Sequence, residues 1–290
     1  MPTSADSYQN SSNGALTITQ ALQHAAALGL ERLDAQMLLL HTLGRAVDDR
    51  AWIVAHDTDE LAAADLHTYR TLCQRRAATE PRAYLVGFRE FFGLQLQVDA
   101  RVLVPRPDTE TLVEWALQAI SGLQAPSVLD LGTGSGAIAL AIAHTRPDAE
   151  VAAVDFSTDA LAVAQANAEH LQLPVRFAQG SWLTGHTGCH HLIASNPPYI
   201  TAHDPHLAAL THEPLQALTA GTDGLDDIRT IVAQAPAHLH PGGWLLLEHG
   251  YDQAAAVRGL LEKQGFANIQ SRTDLAGIER CSGGQWPTVK

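Results

Sequence analysis

Asn196-Pro197-Pro198-Tyr199 is the stretch of this 290-residue chain whose residue types are best suited to do chemistry. Two consecutive prolines fix φ and remove two backbone donors. Each also pushes the residue before it toward extended geometry. The product is a stiff loop whose carbonyls are not consumed by a ladder. Asn196 adds a side-chain amide oxygen, so Asn196 Oδ1 and the Pro197 carbonyl form two converging acceptors. That pair suits a planar NH₂ with two donors, and Tyr199 offers a flat apolar face for it. Such a nitrogen is a poor nucleophile because its lone pair is delocalised. Holding both N–H bonds favours pyramidalisation and aims the lone pair at an electrophile. Positioning of this kind can supply roughly 7–11 kcal/mol of a barrier. Asn and Pro also populate ordinary turns, but a glycine-rich loop lies upstream in the right order for a site.

That loop is Asp130-Leu131-Gly132-Thr133-Gly134-Ser135-Gly136, running from an apolar strand into a helix. Gly132 and Gly134 allow a tight turn and close backbone approach to a ligand. Gly136 permits tight packing at the helix start, whose free N–H groups can face a polar group. Asp155 ends the next strand, roughly 20 residues on, where a ribose-binding carboxylate belongs. A nicotinamide dinucleotide is one candidate ligand. S-adenosylmethionine is favoured, because Asp130 precedes the glycines, where it can pair with an ammonium, and because the loop is Gly-Thr-Gly-Ser-Gly rather than the longer Gly-x-Gly-x-x-Gly. Phe156 and Trp182 either pack on the adenine or belong to the core. Methyl transfer from a sulfonium releases a neutral thioether, so neither a metal nor a general acid is required.

The elements that must position these loops follow from periodicity. Leu16–Leu30 (capped by Thr17 or Thr19), Glu31–Leu43 (ending at Gly44) and Thr58–Ala78 have helical spacing. Phe88–Val104 alternates around Gly93 as a hairpin does. Strands are then expected at Val128–Leu131, Val151–Val154, Val175–Ala178, Leu192–Ser195 and Trp244–Glu248. Helices are expected at Ala137–His144, Thr158–Leu171, Leu225–Leu239 and Gln253–Gln264. The alternation predicts a mainly parallel, doubly wound α/β sheet. The organisation read from this is a disordered tail over 1–14, a helical domain over 15–86, a hairpin linker over 87–107 and the α/β domain over 108–290.

Composition narrows the partners. The chain is 46% hydrophobic and 17% charged, as a globular protein is. No apolar run is long enough to span a bilayer, and the polar N-terminus lacks the pattern of a signal peptide. Three widely spaced cysteines imply no disulfide framework. A formal net charge of −13 weighs against a nucleic-acid substrate, since phosphate contacts call for basic surface. His186, Cys189, His190 and His191 cluster in a glycine-flanked loop at spacings unlike those of zinc sites, and no metal is expected. A cytoplasmic monomer is the expectation.

The ordered motifs together resemble the HemK/PrmC family, which methylates the glutamine N5 of class I peptide chain release factors. They are Pro81-Arg82-Ala83-Tyr84 with Gly87 and Glu90-Phe91, Leu103 to Glu110, Asp130 to Gly136, Gly180-Ser181-Trp182, Ser195 to Ile200, Glu213-Pro214, Asp223-Gly224, and Asp274 with Gly277 and Arg280. The resemblance implies a helical front domain, a hairpin linker and a seven-stranded Rossmann-like methyltransferase domain. It implies S-adenosylmethionine on Gly132 to Gly136, Asp155, Trp182 and Asn196. It also implies an acceptor glutamine on Asn196, Pro197, Pro198 and Tyr199. The Pro105–Glu110 loop is either active-site wall or a rigid connection. One departure, Asp108 where the family carries Glu, keeps the charge and shortens the reach. The same motifs also suit a ribosomal-protein glutamine, and less well the N6 of DNA adenine or an RNA guanine. Gly283-Gly284-Gln285 matches the tripeptide that carries the release factors' target glutamine, and its place near the chain's end reads as coincidence.

Overall fold

The computed structural model describes residues 15–288, and the polar segment 1–14 lies outside the described residues. The chain forms two compact units that divide between Val86 and Gly87.

The first unit is helical: α1 Ile18–Ala27, α2 Arg32–Thr42, α3 Arg50–Ala55, α4 Ala63–Ala77 and α5 Arg82–Val86. Thr17 caps α1 in a reciprocal box with Gln20. Ile18, Leu38, Leu39, Leu40, Tyr69 and Cys73 are fully or almost fully buried. Asp34, itself buried, accepts from Arg76 at 2.6 Å and Arg82 at 2.5 Å, which joins α2, α4 and α5. The helix expected from Thr58 starts only at Ala63. Residues before it are used otherwise: the Asp59 carbonyl takes the Ile18 amide at 2.9 Å, and Glu60 bridges Thr17. The short helices α3 and α5 have too few residues to show a period.

The second unit opens with the antiparallel hairpin β1 Phe88–Phe91 and β2 Leu94–Gln97, closed by Phe92-Gly93 with both φ positive. The ladder ends at Gln97, short of the expected Val104, because the chain turns at Asp99, whose carbonyl accepts from the Val102 amide at 3.1 Å, and it then runs through Pro105 and Pro107 into α6 Glu110–Ala119.

The main sheet then follows. Its strands are β3 Ser127–Leu131, β4 Glu150–Asp155, β5 Val175–Gln179, β6 His190–Ser195, β7 Leu239–Glu248, β8 Ala267–Thr273 and β9 Glu279–Gln285. The helices α7 Ala137–Thr145, α8 Thr158–Leu171, α9 Asp226–Gln234 and α10 Ala254–Gln264 connect them. Strand order is β5-β4-β3-β6-β7-β9-β8, parallel except for β9, which is antiparallel to both its neighbours. The sheet is thus doubly wound and seven-stranded. One face of β3 (Val128) packs with α7, and the other (Leu129, Leu131) packs with α9 and α10. The helix expected to run to Leu239 ends at Gln234, and a tighter 3-10 turn with Pro236 near its start follows.

Gly283 and Gly284 are explained by packing in β9. A Cβ at Gly283 would lie 2.5 Å from Leu246 Cδ2 and 2.7 Å from the Leu245 carbonyl oxygen. Gln285 Nε2 donates to the Gly242 carbonyl at 2.8 Å. The tripeptide is part of the sheet.

Candidate active site

The two chemistry-bearing loops leave neighbouring parallel strands, β3 and β6, which pair from Val128↔Leu192 to Leu131↔Ser195. The order of the sheet reverses at this point, and connections on either side diverge to open a crevice. Ser195 Oγ donates to the Leu131 carbonyl at 2.7 Å, fastening the two strand ends.

The glycine loop bends over the end of β4, where the Val154 carbonyl accepts from the Gly132 and Thr133 amides at 2.8 and 3.1 Å. Gly132 has φ +68, and a Cβ there would lie 3.2 Å from the Trp182 ring. Gly136, at φ +86, would drive a Cβ to 2.9 Å from Leu140 Cδ1. The Asp155 carboxylate takes the Gly134 amide on Oδ2 at 2.8 Å and the Ser157 amide on Oδ1 at 2.9 Å. Buried Asn167 braces the loop from behind, donating to the Ser135 and Gln97 carbonyls at 2.9 and 3.0 Å.

Asp130 lies elsewhere than against the crevice. It is fully buried, and Oδ2 accepts from Thr133 Oγ1 at 2.6 Å and from the Ala139 amide at 3.2 Å. Oδ1 is buried with no partner. Strand alternation is the reason: Asp130 shares the face of β3 that Val128 turns toward α7. Burial raises its pKa to about 7 against the hydrogen bonds from Thr133 and Ala139, and nearby Asp155 adds to the rise.

The crevice, of about 300 Å³, is walled by Gly132, Thr133, Gly134, Ser135, Asp155, Phe156, Trp182, Asn196 and Pro198. Phe156 is 70% exposed. Trp182 is half-buried, and its Nε1 donates to Asp227 Oδ1 at 3.1 Å. A second pocket of about 180 Å³ is walled by Pro197, Tyr199, Ile200, Leu210 and Leu218. The two cavities share Leu103, Arg106, Asn196 and Ala217. Asn196 therefore stands at their junction.

Asn196 Nδ2 donates to Thr109 Oγ1 at 3.2 Å, which leaves Oδ1 as the amide's open acceptor. No backbone amide of the described residues takes up the Pro197 carbonyl. The Tyr199 carbonyl accepts from Gln253 Nε2 at 3.1 Å, and its hydroxyl donates to Glu248 Oε1 at 3.4 Å. Arg106 pairs with buried Glu213 at 2.5 Å, which ties the Pro105 loop to the segment that follows β6. Thr109 and Glu213 occur among the recognisable motifs, whereas Glu248 and Gln253 carry no local pattern. The one signal for Glu248 is an acid closing an apolar run, Trp244–Glu248.

A doubly wound seven-stranded sheet, with a glycine loop and an Asn-Pro-Pro-Tyr turn at its switch point, defines a Rossmann-like methyltransferase. Residues 108–256 match the family model described as "Methyltransferase small domain", and residues 16–87 match "PrmC N-terminal domain". The chain is 53% identical over 268 residues to the release factor glutamine methyltransferase of Burkholderia pseudomallei, covering 89% of this chain and 93% of that one. It is 52% identical over 260 residues to that of Bordetella pertussis, with 88% and 95% covered. It shares its fold with a methyltransferase of Pyrococcus furiosus, at 18% identity and a TM-score of 0.53 over 74% of this chain and 100% of that one. The chain belongs to the release factor glutamine methyltransferase family.

Proposed function

We propose that the protein methylates the side-chain N5 of a glutamine in class I peptide chain release factors, with S-adenosylmethionine as donor. The observation that carries this reading is the place of Asn196. It stands where the crevice over the glycine loop meets the pocket of Pro197 and Tyr199, with its nitrogen committed to Thr109 and its oxygen open. The names of the relatives, at 41–53% identity, support the glutamine and the release factor as the acceptor.

The residues fit the donor. Asp155 retains lone pairs for ribose hydroxyls, and Phe156 and Trp182 offer ring faces to an adenine. The Gly132–Gly136 loop lets a ligand approach the main chain closely. The unpartnered Oδ1 of Asp130, just beneath the loop, favours a positive group above it. When bound, S-adenosylmethionine supplies an electrophilic methyl carbon whose leaving group is a neutral thioether. Asn196 Oδ1 and the Pro197 carbonyl each take one N–H of the glutamine NH₂, and Tyr199 packs on the amide plane. The nitrogen is thereby held with its lone pair toward the crevice, and one of its protons leaves to water as the new N–C bond forms.

A single glutamine side chain offers little surface for discrimination. We read 15–86 as the domain that selects the protein partner, 87–107 as the linker and 108–290 as the catalytic domain, working as a cytoplasmic monomer. No helix of the described residues is long and apolar enough to cross a membrane. The test is transfer of labelled methyl from S-adenosylmethionine to purified release factor, large-subunit ribosomal protein and nucleic acid in parallel. Label on the Gly-Gly-Gln glutamine of the release factor, mapped by mass spectrometry, is the expected result. Label confined to either of the other two overturns the reading.

A further inference from the structure

Gln253 stands just before α10, is 8% exposed and takes no part in the chemistry above. Its side-chain amide meets four main-chain groups. Oε1 accepts from the Gly250 amide at 2.8 Å. Nε2 lies 3.1 Å from the Tyr199 carbonyl oxygen, 3.2 Å from that of Asp223 and 3.4 Å from that of Gly224. Three segments distant in sequence thus meet at one amide: the loop after β6, the turn before α9 and the turn after β7. The amide has one workable orientation, because the opposite flip would set its oxygen against three carbonyls and its NH₂ against an N–H.

Gly224 shows how tightly these groups are packed. Its φ is +71, and a Cβ there would overlap the Tyr199 carbonyl and lie 2.7 Å from Gln253 Nε2. The Tyr199 carbonyl is therefore seated between the Gln253 amide and a main chain that has room for glycine alone.

Pro197 and Pro198 each fix their own φ, so the chain from Asn196 to Tyr199 is stiff. A stiff segment held at both ends has a fixed middle. The near end is held by Asn196, which donates to Thr109 Oγ1 at 3.2 Å, and by Ser195, which is fastened to β3. The far end is Tyr199, whose carbonyl is gripped by Gln253 and whose hydroxyl donates to Glu248 Oε1 at 3.4 Å. The Pro197 carbonyl stands between them. We propose that Gln253 is a positioning residue: by gripping the Tyr199 carbonyl, it sets where the Pro197 carbonyl meets the substrate NH₂. This rests on the reading of the Pro197 carbonyl as an acceptor for the glutamine amide. The glycine loop follows a different strand, so donor binding does not depend on this grip.

The test uses the full chain with release factor and labelled S-adenosylmethionine, comparing Gln253→Met, Gln253→Glu, Gly224→Ala and the double variant Gln253→Met with Gly224→Ala. Gln253→Met keeps the length and removes the donors. Gln253→Glu keeps the shape and turns an acceptor toward the carbonyls. A misplacement of about 1 Å costs roughly 100-fold in rate. Each single variant should lower kcat by about that factor, with KM for S-adenosylmethionine and affinity for S-adenosylhomocysteine unchanged. Both positions act on the same carbonyl, so the double variant should be no slower than the slower single one. Wild-type kcat in the two Gln253 variants overturns the proposal. So do losses that multiply in the double variant, losses that follow cofactor affinity, or a failure of both Gln253 variants to fold, since each makes the amide a structural prop. A wild-type protein that labels some other NH₂ acceptor and not the release factor refutes the glutamine assignment instead, and the same variants are then compared on that acceptor.

Discussion

The Gly134 amide donates to Asp155 Oδ2 across 2.8 Å, so the turn that would hold the donor is anchored by the acid at the end of the next strand. The other oxygen of Asp155 holds the Ser157 amide that opens α8. Asp155→Ala removes both anchors together with the ribose acceptor we propose. Hydrogen bonds to charged groups are each worth about 1.5–3 kcal/mol, so affinity for S-adenosylhomocysteine should fall about 10- to 100-fold by titration calorimetry. An unchanged affinity would remove Asp155 from the site.

Gly132→Ala should weaken both the fold and the cofactor site. The left-handed φ of +68 costs a residue with a Cβ roughly 1–2 kcal/mol. The added methyl also meets the Trp182 ring at 3.2 Å. Denaturant unfolding should show a loss of at least that size, and cofactor affinity should drop with it. Unaltered binding would mean that the loop can move away from Trp182 without consequence.

Asp130 trades stability for charge, and the sign can be worked out. Its folded pKa, about 7, lies above the ordinary 3.8. The folded state therefore prefers the protonated form, and the associated stability is full below the unfolded value and lost as pH rises through about 7. Asp130→Asn does not titrate. Without cofactor, its Tm should exceed that of the wild type at about pH 8, by roughly 2–4 °C for each kcal/mol relieved, and the gap should shrink as pH falls from about 7 and close only near 3.8. Its affinity for S-adenosylhomocysteine should fall. A Tm difference independent of pH would show that the carboxylate is not strained by burial.

Asn196→Ala removes the side-chain acceptor and leaves the glycine loop untouched. Loss of one well-placed polar contact to a reacting group costs about 100-fold or more in kcat. Calorimetry should find most of the cofactor affinity retained. Wild-type turnover in this variant would sink the role given to the paired oxygens.

Much of the site is readable before folding because its chemistry is local. A proline pair stiffens its own neighbours wherever it stands, so Asn196 to Tyr199 announces an acceptor loop. A strand running into glycines and then a helix announces a ligand turn, so Gly132 to Gly136 and Asp155 follow. The β8 and β9 strands are not visible in the same way. Ala267–Thr273 is mostly polar at the sheet edge, and Glu279–Gln285 is broken by two glycines, Gly283 pressed against Leu245 and Leu246 and Gly284 against Phe266. The lengths of the front helices also escape periodicity, since capping and the bridge between Thr17 and Glu60 decide them.

The sequence by itself determines the alternation of strand and helix and the two loops, because these depend on residues within a few positions of one another. Only the tertiary structure decides that Asp130 lies behind its loop, since the side of a strand that faces the crevice is set by which helices cover the sheet. Only the tertiary structure brings Thr109 to Asn196 and Glu248 to the Tyr199 hydroxyl. A hydrogen bond between residues 87 positions apart leaves no periodic trace in the chain, because its cause is the order in which strands pair.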